Sequence, residues 1–262
     1  MIQLKSVREI EVMAEGGYIL ASTHAVLEKE LRPGITTLEL DRIAEDFIRS
    51  HPGASPAFKG LYGFPGSVCI SINEEIVHGI PSSRRVVREG DIVKLDLGVE
   101  FGGLFTDSAW TYAVGEIDET SRRLMEVTER SLHEAIDAAR IGNHVGDIGA
   151  AVQRVVEPSG FSIVRDLVGH AVGFAPHEDL QVPNMGKPKR GRRLEAGLTI
   201  AIEPMVNVGT DRTRTLQDKW TVVTLDGARS AHFEHTVAVT ESGPRILTER
   251  IGKTTGAGST HG

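Results

Sequence analysis

The stretch 93–107, VKLDLGVEFGGLFTD, constrains this chain most: two short strand-like runs joined by a glycine-bearing turn, with an aspartate in each run. Asp96 and Asp107 are separated by an odd number of positions. If the chain reverses around Phe101 and Gly102, an antiparallel ladder sets the two directly opposite each other, with Leu97 facing Thr106 and Gly98 facing Phe105. Directly opposed residues have Cβ atoms about 4.5–5.5 Å apart, and like charges so placed repel. A divalent cation relieves that repulsion, because hard cations collect carboxylate oxygens. The plain alternative is a pair of solvated aspartates at strand ends, the usual setting for Asp.

The chain has 262 residues, 40% hydrophobic and 25% charged, an ordinary globular composition with enough apolar residues for a large core. No Pro/Ser-rich linker divides residues 1–247, so one catalytic domain is expected over 1–250, its halves meeting at roughly 115/116. A net charge of −7 without a long basic run argues against nucleic-acid binding. The single Cys69 excludes an intrachain disulfide. The N-terminal residues lack a signal peptide's apolar segment and no apolar run reaches membrane-spanning length, so a cytoplasmic chain without a membrane partner is expected. The Gly/Ser/Thr-rich end, 251–262, reads as a flexible tail.

Ser6 and Glu9 have capping-box spacing and open a helix with a buried stripe through Ile10, Met13, Gly17, Leu20 and Leu27, stopping near Arg32-Pro33-Gly34. Thr36 and Glu39 repeat the box before Leu40, Ile43, Ala44, Phe47 and Ile48. Residues 51–65 read as loop. Strands are expected at 68–72 and 76–77, in the hairpin, and at 108–114; helices at 119–139 and 145–157; strands at 161–168, 197–203, 219–225 and 231–240. This order suggests an internal repeat. Arg32-Pro33-Gly34 parallels Arg140-Ile141-Gly142, and the segments 90–96 and 197–203 share a glycine, five residues and a carboxylate, at offsets of 108 and 107. Duplication would bring Asp96 and Glu203 to matching strand ends.

Three further stretches put polar groups where burial is expected. His170 and His177 stand in a Gly-rich loop, Glu203 ends an apolar run blocked by Pro204, and Glu234 interrupts another. A lone histidine is more often structural than a ligand, and this chain has 10. Together, however, Asp96, Asp107, Glu203, Glu234 and His170 form an oxygen-rich set that suits two divalent ions such as Mn, Fe or Co better than structural zinc. A two-metal hydrolase follows.

These residues resemble those of the type I methionine aminopeptidases. The similarity runs from about Ser6 to Thr248 and includes Gly169-His170, His177-Glu178, Glu203-Pro204-Met205-Val206-Asn207 and Glu234-His235-Thr236; Ser71-Ile72-Asn73-Glu74, His78-Gly79-Ile80-Pro81 and Trp220-Thr221 also match in order. The resemblance implies an α+β pita-bread fold of two pseudo-symmetric halves around a dinuclear metal site, and removal of N-terminal methionine from nascent proteins and peptides when the second residue is small. It implies Asp96, Asp107, His170, Glu203 and Glu234 as ligands of two ions (Mn, Fe, Co or Zn), His78 and His177 as substrate-contacting catalytic residues, and Glu203 as proton shuttle. It also implies a monovalent cation near Asn73, Glu75 and Ser230, transient ribosome association, and a monomer.

In the implied methionine pocket Cys69 and Trp220 fit the pattern and Phe64 stands where tyrosine is common. Phe58 and Leu61 replace a frequent cysteine and tyrosine, Pro176 a frequent aromatic, and Ala171 and Phe174 alter the GHGIGR run. The pocket stays apolar and suits an unbranched thioether. Two alternatives are an X-Pro-cleaving relative, disfavoured by EPMVN after position 202 and by the lack of an extra N-terminal domain, and a non-catalytic binding module, disfavoured by the complete ligand set.

Overall fold

A computed structural model describes residues 2–251. The expected tail lies outside the described residues except for Ile251. Both capping boxes form: the Ser6 and Glu9 side chains each accept the other's amide at the start of α1 (Val7–Glu30), and Thr36 and Glu39 do so for α2 (Thr37–Arg49). Each exchange satisfies two donors that a helix start leaves orphaned. The strands β1 (Ala54–Pro56), β2 (Cys69–Ile72), β3 (Glu75–Val77), β4 (Ile92–Phe101) and β5 (Leu104–Ala113) follow. The run 51–65 is thus not all loop, since β1 pairs with the end of β4.

β4 is the central strand of the first half. β5 runs along one edge and β1 and β2 share the other. The hairpin turns one residue later than expected, at Gly102-Gly103, whose positive φ values of 59° and 79° suit the two-residue type I′ turn that matches strand twist. Register therefore shifts by two: Gly98 faces Asp107 and Asp96 faces Ala109. The two aspartates sit diagonally rather than opposite, still on one face because the shift is even. The separate strand expected at 108–114 is the continuation of β5.

The second half repeats the plan with α3 (Glu119–Ala138), α4 (Val145–Val156), β6 (Ser162–Ile163), β7 (Gly169–Ala171), β8 (Glu178–Val182), β9 (Thr199–Ile202), β10 (Met205–Asn207), β11 (Thr213–Thr215), β12 (Val222–Thr224), β13 (Ser230–His232), β14 (His235–Thr240) and β15 (Gly243–Ile246). One sheet has the order β15-β14-β9-β7-β8, a second β13-β10-β6, and a third, β11-β12-β3, joins second-half strands to a first-half strand. Strands expected at 161–168 and 219–225 are shorter, and the one at 231–240 breaks at Phe233 and Glu234. His170 lies on a strand, not in a loop.

The repeat is visible in the backbone. Thr36 bridges Val86 as His144 bridges Arg193, Gly34 donates to Val87 as Gly142 donates to Leu194, and both glycines are left-handed at φ 94° and 90°. Asp96 and Glu203 occupy corresponding but not identical settings, Asp96 inside β4 and Glu203 just past β9. A continuous core runs through both halves, including Leu20, Leu40, Leu95, Leu132, Ile148 and Ile200.

Candidate active site

Asp96 and Asp107 project from one face of the β4–β5 hairpin, and the second half delivers its polar groups against that face. Thr236 Oγ1 donates to the Asp107 carbonyl at 2.8 Å and accepts the Asp107 amide at 2.9 Å. The Glu234 amide donates to the Ala109 carbonyl at 2.7 Å, and Ser108 Oγ donates to the Glu234 carbonyl at 3.0 Å. These bonds lock β5 to the break between β13 and β14, so Asp107 and Glu234 are fixed by backbone rather than by side-chain choice. Glu203 comes where Pro204 ends β9, and its carbonyl accepts Asn184 Nδ2 at 3.0 Å. His170 Nδ1 lies 3.1 Å from the Ala171 carbonyl. A carbonyl only accepts, so Nδ1 carries the proton and Nε2 keeps its lone pair. That Nε2 is 3.6 Å from Glu203 Oε1 and 3.8 Å from Asp107 Oδ2.

The five residues converge as the sequence suggested. Ligand atoms of Asp96, Asp107 and Glu234 lie within 4.8 Å of one another, as do those of His170, Glu203 and Glu234. A third such group is Asp107, His170 and His177, so distance alone also admits His177. Burial pushes the Asp96 carboxyl up to about 7 and drives Asp107, Glu203 and Glu234 well above the usual carboxylate range, with the neighbouring carboxylates adding to the effect on the last three. Burial holds His170 and His78 down to about 4. Asp96 Oδ1, Asp107 Oδ1 and Glu234 Oε1 are buried without a hydrogen-bond partner among the described residues. Buried orphan oxygens are costly unless something cationic satisfies them. The residues fit a pair of divalent ions.

A cavity of about 310 Å³ opens over this cluster. Its apolar side is formed by Phe58, Leu61, Phe64, Cys69 and Trp220, which pack together, with the Phe64 and Trp220 rings edge to face at 5.1 Å. His78 and His177 also line it, and the His177 ring is 4.3 Å from that of His170. Phe174 and Pro176, expected to alter the pocket, do not line it. Phe174 instead lies under Lys5 Nζ at 4.9 Å, and Lys5 pairs with Glu178 at 2.6 Å, tying the chain start to the residue after His177.

Several lining residues escaped the sequence reading. Tyr62, with a left-handed φ of 51°, stacks at 5.9 Å from His177, and Met205 and Leu167 complete the apolar wall. His232, 1% exposed, points Nε2 to within 3.8 Å of Glu203 Oε2, and neither ring nitrogen has a hydrogen-bond partner among the described residues. Its signal was present as a position two before Glu234. The expected monovalent-cation atoms do not fit a free ion. Lys94 Nζ already contacts the Asn73 and Ser230 carbonyls, and the Glu75 carboxylate is held by Arg85 and by the Ile72 amide.

A twice-repeated helix-and-strand fold with a buried carboxylate and histidine cluster between its halves defines a metal-dependent hydrolase of the pita-bread class. The chain belongs to metallopeptidase family M24, whose description matches residues 11–241. It is 52% identical over 248 residues to methionine aminopeptidase 1 of Bacillus subtilis (strain 168), a match covering 95% of this chain and 99% of that one. It is 42% identical over 254 residues to methionine aminopeptidase 1 of Mycobacterium tuberculosis, covering 95% of each. Among solved structures, a methionine aminopeptidase from Thermotoga maritima superposes with a TM-score of 0.93 at 43% identity, over 95% of this chain and all 100% of that one. A prolidase from Pyrococcus horikoshii OT3 shares the fold alone, with a TM-score of 0.77 and 21% identity over 95% of this chain and 64% of that one.

Proposed function

We propose that this chain hydrolyses the first peptide bond of proteins and peptides that begin with methionine, when the second residue is small. The observation that carries the reading is a single cavity in which an apolar slot meets a cluster of buried carboxylates and histidine, in a chain similar over nearly its whole length to methionine aminopeptidases.

In this reading Asp96, Asp107, His170, Glu203 and Glu234 hold two divalent ions, drawn from Mn, Fe, Co or Zn. Bound there, the pair supplies an activated water and neutralises charge at the attacked carbonyl. Phe58, Phe64, Cys69 and Trp220 receive the methionine side chain, whose unbranched thioether adapts to an irregular apolar slot. Glu203 accepts the proton of the attacking water and passes it to the leaving amine. His177 donates an N–H to the carbonyl oxygen as charge develops on it. His78, half-buried and held neutral by desolvation, stands beside the scissile amide and crowds a long second side chain. One catalytic unit spans 1–250, its halves dividing near 115. Nascent chains at the ribosome, met by transient association of a monomer in the cytoplasm, are the setting that this substrate implies.

The test compares metal-loaded protein on Met-Ala-Ser, Met-Leu-Ser and an Ala-Pro peptide. Methionine is released from Met-Ala-Ser with a kcat/KM far above that for Met-Leu-Ser, and the Ala-Pro peptide is left intact. Equal kcat/KM for the two methionyl peptides, or no release from either by protein with bound metal, overturns the reading.

A further inference from the structure

Lys94 lies on β4 two residues before Asp96 and therefore on the same face of the strand. It is 1% exposed. Its neighbours along the strand, Val93 and Leu95, are fully buried apolar residues, so nothing in the pattern of the run calls for a charge here. A buried ammonium is costly unless its donors find acceptors. Lys94 Nζ donates to the Asn73 carbonyl at 2.7 Å and to the Ser230 carbonyl at 3.0 Å. Asn73 sits in left-handed backbone at φ 52°, in the turn between β2 and β3, and its carbonyl also accepts the Ser230 amide at 3.0 Å. Ser230 opens β13, the strand that leads to His232 and Glu234. One side chain thus ties the strand bearing Asp96 to a turn of its own half and to the approach to Glu234 in the other.

Two backbone carbonyls from separate segments converging on one point make a site for a compact monovalent cation. In this chain a lysine ammonium, itself a compact unit charge with several donors, fills that point. An alkali ion placed there would meet an occupied space and a like charge. We propose that Lys94 is a tethered replacement for a monovalent cation, clamping the β2–β3 turn to the start of β13 beneath the metal centre and making the protein independent of K⁺ and Na⁺. The clamp's effect on the divalent site rests on the metal-centre reading above; the clamp itself does not.

The test uses the full chain in KCl, NaCl or tetramethylammonium chloride of equal ionic strength and the same pH. Thermal melting and calorimetric Mn²⁺ titration are the readouts, so failure of the peptidase reading is distinguishable from failure of this one. Wild type melts at one temperature and binds Mn²⁺ equally in all three salts. Lys94→Ser exposes the two carbonyls; in tetramethylammonium it melts lower by about 3 °C or more and binds Mn²⁺ about tenfold more weakly, and K⁺ or Na⁺ restores both saturably. Saturable stabilisation of wild type by K⁺ or Na⁺ overturns the proposal without any variant. So does a Lys94→Ser protein that responds alike to the three salts. Should Lys94→Ser fail to fold in every salt, Lys94→Asn is judged by the same rule, and failure of both to be rescued by an alkali ion also overturns it.

Discussion

His170 and His177 are seven positions apart with ring centroids 4.3 Å apart, and the proposed function gives them different work. His170 has its Nδ1 fixed by the Ala171 carbonyl, which leaves Nε2 aimed between Asp107 and Glu203. An outer hydrogen bond of this kind is how metal-bound histidines are usually oriented. His177 is more exposed and stacks against Tyr62 at the cavity. His170→Ala should therefore weaken Mn²⁺ binding, with activity partly restored at high metal. His177→Ala should bind Mn²⁺ as wild type does and lose about 10²–10³ in kcat, the usual effect of removing one oxyanion donor, with no rescue by metal. Calorimetry beside steady-state kinetics decides, and a His177→Ala protein that binds metal as poorly as His170→Ala and recovers with excess metal refutes the division. The convergence of carboxylates and His170 was legible because charged residues inside apolar runs stand out. Lys94 stood out equally in IVKLDL but has no meaning until the fold brings Asn73 and Ser230 to it. Tyr62 gave no signal, since its place at the cavity depends on a left-handed turn that its sequence does not announce.

At the scale of elements, local rules succeeded where the determinants are local. Both capping boxes, the stripe of α2 and the limits of α3 and α4 follow from spacing within a few residues. Strand limits did not, because β6, β10 and β13 are short pieces defined by distant partners. The hairpin register was misplaced because the chain turns at Gly102-Gly103 rather than at Phe101-Gly102, and only the even size of the shift kept Asp96 and Asp107 on one face. Gly17 was legible merely as part of the buried stripe of α1. The fold gives it a specific reason: a Cβ there would lie 1.9 Å from the Leu247 carbonyl oxygen, so α1 packs directly on backbone just beyond β15. Helix propensity favours Gly17→Ala by about 1 kcal/mol, whereas overpacking against rigid backbone costs about 1–3 kcal/mol or more. The overlap should win. Urea unfolding is expected to show Gly17→Ala less stable than wild type, and Gly16→Ala, whose Cβ meets Phe101 Cβ at 3.1 Å, affected less. A Gly17→Ala protein as stable as wild type would mean that the segment after β15 yields easily.

For the whole molecule, the consequence of the repeat is that the candidate metal centre is divided between the halves. Asp96 and Asp107 come from the first hairpin, and His170, Glu203 and Glu234 from strands of the second half. Four buried carboxylates so placed oppose one another when nothing lies among them, which is why burial and mutual charge drive three of them well above their ordinary range. In the function proposed above, divalent ions held by these residues would convert that opposition into a bond between halves. Ligand binding to the folded state alone stabilises it by about 2.7 kcal/mol at a hundred times Kd, and for a chain of this size each kcal/mol raises the melting temperature by about 2–4 °C. Mn²⁺ at that excess should therefore raise the melting temperature by about 5–10 °C over protein in EDTA, reversibly on chelation. Asp107→Asn keeps the side chain's shape and removes a carboxylate charge from two of the three candidate ligand groups, so it should abolish most of the Mn²⁺ shift while melting in EDTA no lower than wild type. Indistinguishable melts of wild type with Mn²⁺ and with EDTA would mean that the cluster does not join the halves through metal, and an undiminished shift in Asp107→Asn would return that residue to a structural role.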